Sequence, residues 1–151
     1  MKRIVVIDGM GGGIGAGLIE KIRQFTGGGA EIIALGANAV AAERMVKAGA
    51  ARGASGENAI KVSVAEADFI LGPIGIVIGN SMMGEISPAV AETILAARGE
   101  RILLPLKNEH FILAGLENQP LSRAIENAAG LLRERLEKPE SGDPRHGTQE
   151  E

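Results

Sequence analysis

The residues best suited to chemistry stand together near the N-terminus, in Ile7-Asp8-Gly9-Met10-Gly11-Gly12-Gly13-Ile14-Gly15. Five glycines follow an apolar run, Ile4-Val5-Val6-Ile7, and precede a helical pattern. A strand, a glycine-rich turn and a helix in that order present bare backbone N–H groups and a helix N-terminus to a phosphate. The candidate ligand-binding residues are therefore Asp8, Gly9, Gly11, Gly12, Gly13, Ile14 and Gly15. Asp8, at the tip of the strand, could hold a ligand hydroxyl or a metal ion, or could accept hydrogen bonds from its own turn. Farther along, Asn38, Asn80 and Ser81 fall where further strands end. In open α/β sheets the ligand sits at those carboxyl ends. Lys107-Asn108-Glu109-His110 is the densest polar cluster within the fold. His110 is the natural general base or metal ligand there, with Lys107 beside it, although a lone histidine at the start of a strand is more often structural. His146 falls in a polar tail and receives no role.

Two fingerprints fit the turn. Gly11-Gly12-Gly13-Ile14-Gly15-Ala16 fits G-x-G-x-x-A, a dinucleotide variant that makes NAD(P) or another nucleotide the expected cofactor. Gly9 to Gly15 also fits G-x-x-x-G-I-G, which resembles the cofactor turn of short-chain dehydrogenases. The following residues oppose that activity. The second strand ends in Leu35-Gly36-Ala37-Asn38, without the ribose-binding acid expected there. Asn38 could bond a ribose hydroxyl and Arg44 a 2′-phosphate, but a helix cap and a solvated helix face are the simpler roles. The chain has no tyrosine, which excludes short-chain dehydrogenase chemistry. No Gly-Lys-Ser/Thr follows the glycines, so the turn is not a P-loop. Asn80, Ser81 and Glu85 would suit a polar ligand or an ordinary connection equally well. Met82-Met83 suits core or interface packing.

Composition narrows the classes further. A net charge of −3 and only three aromatic residues, all Phe, argue against a nucleic-acid partner. The absence of cysteine removes disulfides, thiolate nucleophiles and Cys-type metal sites. Two histidines make no recognisable transition-metal site, while a Mg²⁺ shared with ligand phosphates remains compatible. No apolar stretch reaches membrane-spanning length, and the N-terminus lacks a signal-peptide core, so a cytoplasmic location and no membrane partner are expected.

The elements that must position these residues alternate. Ile4–Ile7 and 31–36 read as strands, with helices from Ile14 to the glycines at 27–29 and from the Asn38 cap to Lys47, ended by Gly49. Ala50–Ala54 reads as a brief strand and Ser55 as a cap for a helix over 57–65, against which stands the strand-like alternation of Ile60, Val62 and Val64. Phe69–Gly72 is a buried strand, and Ile74–Ile78 a second apolar piece. Ser87-Pro88 opens a helix that Gly99 stops; 101–106 and 111–116 follow as strands, and Pro120 opens a last helix. This pattern predicts an α/β fold, a three-layer Rossmann-like sandwich with a mostly parallel, doubly wound sheet, over residues 1–137. Residues 138–151, rich in Gly, Pro and charge, read as a disordered tail.

Several strings, in order, carry a resemblance: Ile7-Asp8-Gly9 to Gly15, Glu31 to Gly36, Gly56-Glu57-Asn58-Ala59-Ile60, Gly72-Pro73-Ile74, Asn80-Ser81-Met82, Gly84-Glu85-Ile86 and Leu103 to Leu106. Together the chain resembles a small bacterial family known only as a domain of unknown function. The resemblance implies a Rossmann-like fold in a bacterial cytoplasm and no particular activity. Three functions stay open: a nucleotide-binding or regulatory module, an enzyme on a phosphorylated or acidic metabolite working through Asn80, Ser81, Lys107 and His110, and a structural protein that has lost its ligand. A chain without a separate substrate domain is expected to complete its site as a homo-oligomer.

Overall fold

The computed structural model describes residues 1–106, 110–116 and 119–138. Five strands, β1 (Lys2–Asp8), β2 (Ala30–Gly36), β3 (Arg52–Ser55), β4 (Phe69–Pro73) and β5 (Glu100–Leu104), form one sheet in the order β3-β2-β1-β4-β5. Every pairing is parallel, with Ile4 opposite Ile32 on one side and Phe69 on the other. The helices are α1 (Gly13–Thr26), α2 (Ala39–Lys47), α3 (Glu57–Val64), α4 (Pro88–Ala96) and α5 (Leu121–Glu137), with a 3-10 turn at Ile74–Val77. This is the expected Rossmann-like, three-layer arrangement.

Alternation along β1 explains the layers. Ile4 and Val6 enter a core with Leu18, Ile19 and Ile22 of α1, Met45 of α2 and Leu132 of α5. Val5 and Ile7 face the opposite core with Ile60 and Val64 of α3 and Val90 and Ile94 of α4. Successive strand side chains point to opposite faces, so a continuous apolar run serves a sheet covered on both. Each fully buried Leu or Ile contributes about 1.5–3 kcal/mol from leaving water.

Local signals set most element ends. Asn38 Oδ1 accepts from Ala41 N at 2.8 Å and starts α2. Ser87 Oγ accepts from Val90 N at 3.1 Å and, with Pro88, starts α4. In 57–64 the helical spacing prevails over the alternating one: Ile60 and Val64, four apart, are buried, while Val62 is 63% exposed. The cap position of α3 is Gly56, with Ser55 ending β3 instead of capping the helix. Two strand expectations are corrected. β5 stops at Leu104, because Pro105 has no N–H for a ladder. The segment 111–116 holds only an isolated bridge at Phe111 before a turn, and Ile112 is 81% exposed. Ile112 and Leu116 of this apolar run are exposed, Phe111 and Leu113 half-buried, and β5 ends the sheet.

The sheet order places a switch point between β1 and β4, where the chain turns from building one half of the sheet to the other. Loops leaving these two strands diverge, and a crevice opens between them. Among the described residues, no helix is long and apolar enough to cross a membrane. Lys107, Asn108, Glu109, His146 and the expected tail from 139 lie outside the described residues.

Candidate functional site: a cleft at the switch point

A cleft of about 530 Å³ occupies this crevice. The glycine turn forms one wall, Arg44 of α2 stands beside it, and Pro73, Ile74, Met82, Met83, Leu106 and Leu121 complete the lining. Asp8, only 3% exposed, lies at its floor.

Asp8 settles part of the turn's chemistry. Its Oδ1 accepts from Gly9 N and its Oδ2 from Gly15 N, both at 2.8 Å. Burial pushes its carboxyl pKa above the ordinary value; the amides of Gly15, Gly9 and Ile14 pull it back, and the charge of Glu85 adds to the rise. Hence part of the α1 N-terminus already serves an internal carboxyl group. The amides of Ile14 and Gly15, both in the candidate phosphate set, face Asp8.

What remains is narrower. Gly12 N donates to Gly9 O at 2.9 Å, and Met10 N donates to Glu85 Oε1 at 2.9 Å. Among the described residues, the amides of Gly11 and Gly13 have no acceptor within the fold. The same two glycines are exposed, whereas Gly9, Gly12 and Gly15 are buried.

Steric demand divides the glycines in the same way. A Cβ on Gly12, whose φ is +75°, would stand 2.8 Å from Ala41 Cα and 2.9 Å from its carbonyl oxygen. On Gly9 it would meet Met82 Sδ at 2.6 Å, and on Gly15 it would run into Met45 Sδ. These three are glycines because strand, turn and helices close on them. On Gly11 a Cβ would find only Arg44 Nη1, at 3.9 Å; on Gly13 only the tip of Arg44, from 3.2 Å. Packing of the backbone therefore explains the buried glycines and leaves Gly11 and Gly13 unexplained.

The other candidates are placed as scaffold. Asn38, besides capping α2, donates through Nδ2 to Met10 O at 2.9 Å and Glu85 Oε2 at 2.7 Å. Glu85 thus ties the loop after β4 to the glycine turn, a role that no spacing in the sequence signals. Ser81 is wholly buried and its hydroxyl donates to Gly75 O. Asn80 is exposed at φ +69°, its amide donating to Ile86 O at 2.7 Å. Asn38, Asn80, Ser81 and Glu85 lie outside the cleft lining. Ile14 lines it, as do Gly9 to Gly13. His110 is exposed on the connection from β5 to α5 and also lies outside the lining. Among the described residues, no group of three or more His, Cys, Asp or Glu is placed to hold a metal.

A family model, described as Domain of unknown function (DUF3842), matches residues 3–137. The chain belongs to this family. The match runs from β1 to the last residue of α5, so every element around the cleft falls within the DUF3842 region. No curated protein matches the chain.

Proposed function

We propose that this protein binds a phosphorylated small molecule, a nucleotide or dinucleotide, with a phosphate against the amides of Gly11 and Gly13 and the guanidinium of Arg44. The observation that carries the reading is the coincidence at those two glycines. Their amides are uncommitted, their backbone faces the cleft, and fold packing does not require glycine there. A ligand approaching the backbone closely supplies the missing reason.

Arg44 supports the same position. Its Nη1 lies 3.4 Å from Gly11 O and its tip lies over Gly13, so a cation stands beside two free donors at a helix N-terminus. The Asp8 carboxyl behind the turn already takes the Gly15 amide, which favours a phosphate outward at Gly11 and Gly13 and away from Gly15. The residues that end β2 carry no carboxylate to select an unphosphorylated ribose, the nearby Glu85 is engaged by Met10 N and Asn38 Nδ2, and Arg44 suits either a pyrophosphate or a ribose phosphate.

Thermal stabilisation by a panel of NAD, NADP, FAD, ATP, GTP and sugar phosphates tests this. Calorimetry suits a chain with no Trp or Tyr. A ligand at a hundredfold its Kd stabilises the fold by about 2.7 kcal/mol. The expected result is a rise in Tm with at least one phosphorylated compound, lost in Gly13→Val and reduced in Arg44→Gln. No shift with any of them sinks the reading.

A further inference from the structure

Holding a phosphate uses one end of the cleft and leaves the remainder without a role. Beyond Arg44 and Asp8, the described side chains around it are apolar, chiefly Ile74, Leu106, Leu121 and three methionines, Met10, Met82 and Met83. The methionines are in an uncommon backbone state. Among the described residues, only four non-glycines have positive φ: Met10 (51°), Asn80 (69°), Met82 (56°) and Met83 (57°). Asparagine tolerates the left-handed region through local hydrogen bonding, and methionine has no such compensation.

Glycine would remove the strain, as it does next door at Gly84, φ +86°. Of the three, only Met82 is half-buried, packed against the core beneath α3 and α4. Met83 is 84% exposed and Met10 49%. Strained backbone that keeps a long apolar side chain in water, at both Met10 and Met83 of one cleft, points to what those side chains touch when the cleft is filled. Methionine is flexible and polarisable, and it fits itself to flat or branched apolar surfaces.

We propose that Met10, Met82 and Met83 form an adaptable apolar clamp, and that the ligand is a phosphate ester whose other end is an apolar body. The proposal rests on the phosphate reading above for its anionic end. Recognition there is by shape and dispersion, without hydrogen-bond readout from the methionines, so polar sugar phosphates are poor ligands.

The test is calorimetric titration of the full chain with inorganic phosphate, glycerol 3-phosphate, 1-naphthyl phosphate and 1-naphthol. Naphthyl phosphate is expected to bind at least about tenfold more tightly than glycerol phosphate, from the apolar area it buries. In a Met10→Asn/Met83→Asn variant that ratio falls toward one, inorganic phosphate affinity stays, and Tm does not drop, because Asn accepts the left-handed backbone. Equal affinity for the two esters, or a ratio preserved in the variant, overturns the clamp and leaves the phosphate site standing. Methionine-dependent binding of naphthol, with no gain from a phosphate, supports the clamp and sinks the phosphate reading. No binding by any probe overturns both.

Discussion

The two loops that meet at the switch point are built on opposite plans. The loop after β1 places glycine wherever the chain crowds, with φ +75° at Gly12, and puts one side chain, Met10 at +51°, into the left-handed region. The loop after β4 puts Asn80, Met82 and Met83 into the left-handed region and reserves glycine for position 84. One loop discards side chains to expose backbone at every position of the turn but Met10; the other keeps side chains at a cost in backbone strain, about 1–2 kcal/mol for each methionine. A single cleft is thus given one wall of amides carrying the thioether of Met10 and a second wall carrying those of Met82 and Met83. Glu85 joins the two walls by accepting from Met10 N and Asn38 Nδ2.

The sharpest way to break this contrast is to add one methyl group to different glycines of the first loop. Gly12→Ala forces a left-handed alanine against the Ala41 backbone and should cost roughly 3 kcal/mol or more. Gly13→Ala, at the first turn of α1, should stay within about 1 kcal/mol of the parent. Chemical denaturation measures both. Equal losses would remove the division between packing glycines and ligand glycines.

Asp8→Asn comes next. The amide has one acceptor oxygen for the donors that Asp8 now satisfies, so stability should fall by about 2 kcal/mol. The pH dependence has a definite sign. Because the folded pKa of Asp8 lies above the ordinary carboxylate value, the folded protein binds the proton more tightly than the unfolded chain. The stability this group contributes is fully present below the unfolded value, about 3.9, and is lost as pH rises through the raised folded pKa. The advantage of the parent over Asp8→Asn should therefore be greatest in acid and shrink toward neutrality, as read by unfolding curves at several pH values. An advantage that grows with pH would contradict the burial of Asp8 as its dominant environment.

Glu85→Gln removes one of the two acceptors that tie the loops and should cost about 1 kcal/mol. Hydrogen exchange of the Met10 amide should quicken with it, which separates a lost tie from a global effect. The smallest effect is expected at Met83→Asn, where relief of strain in an exposed position should leave stability unchanged or raised by up to about 1 kcal/mol. A marked loss would show that Met83 packs in the fold, and would dissolve the contrast between the loops.

Much of the scaffold was legible because it is written in local chemistry. The apolar run Ile4–Ile7 requires a strand covered on both faces, and Asn38, Gly49 and Ser87-Pro88 are stop and start signals that act within a few residues. The segment 57–64 was ambiguous because Ile60, Val62 and Val64 satisfy both periods, and only burial against β2 and α4 decides between them. The run at 111–116 is apolar like a buried strand, yet the sheet ends at β5. The glycine turn was legible as a site but not its division of labour. That Asp8 would take the amides of Gly9 and Gly15, leaving those of Gly11 and Gly13, depends on a carboxylate folding back across seven residues. The Glu85 tie spans 75 residues and the left-handed methionines carry no sequence signature.

The most direct test follows backbone amides during titration with inorganic phosphate and with AMP, by proton–nitrogen correlation spectra. The amide signals of Gly11 and Gly13 should move most and saturate together, those of Gly9 and Gly15 should move less because Asp8 already holds them, and Arg44→Gln should weaken the response. Gly11 and Gly13 signals that stay in place with both anions, or that move equally in Arg44→Gln, would contradict a phosphate site at these two glycines.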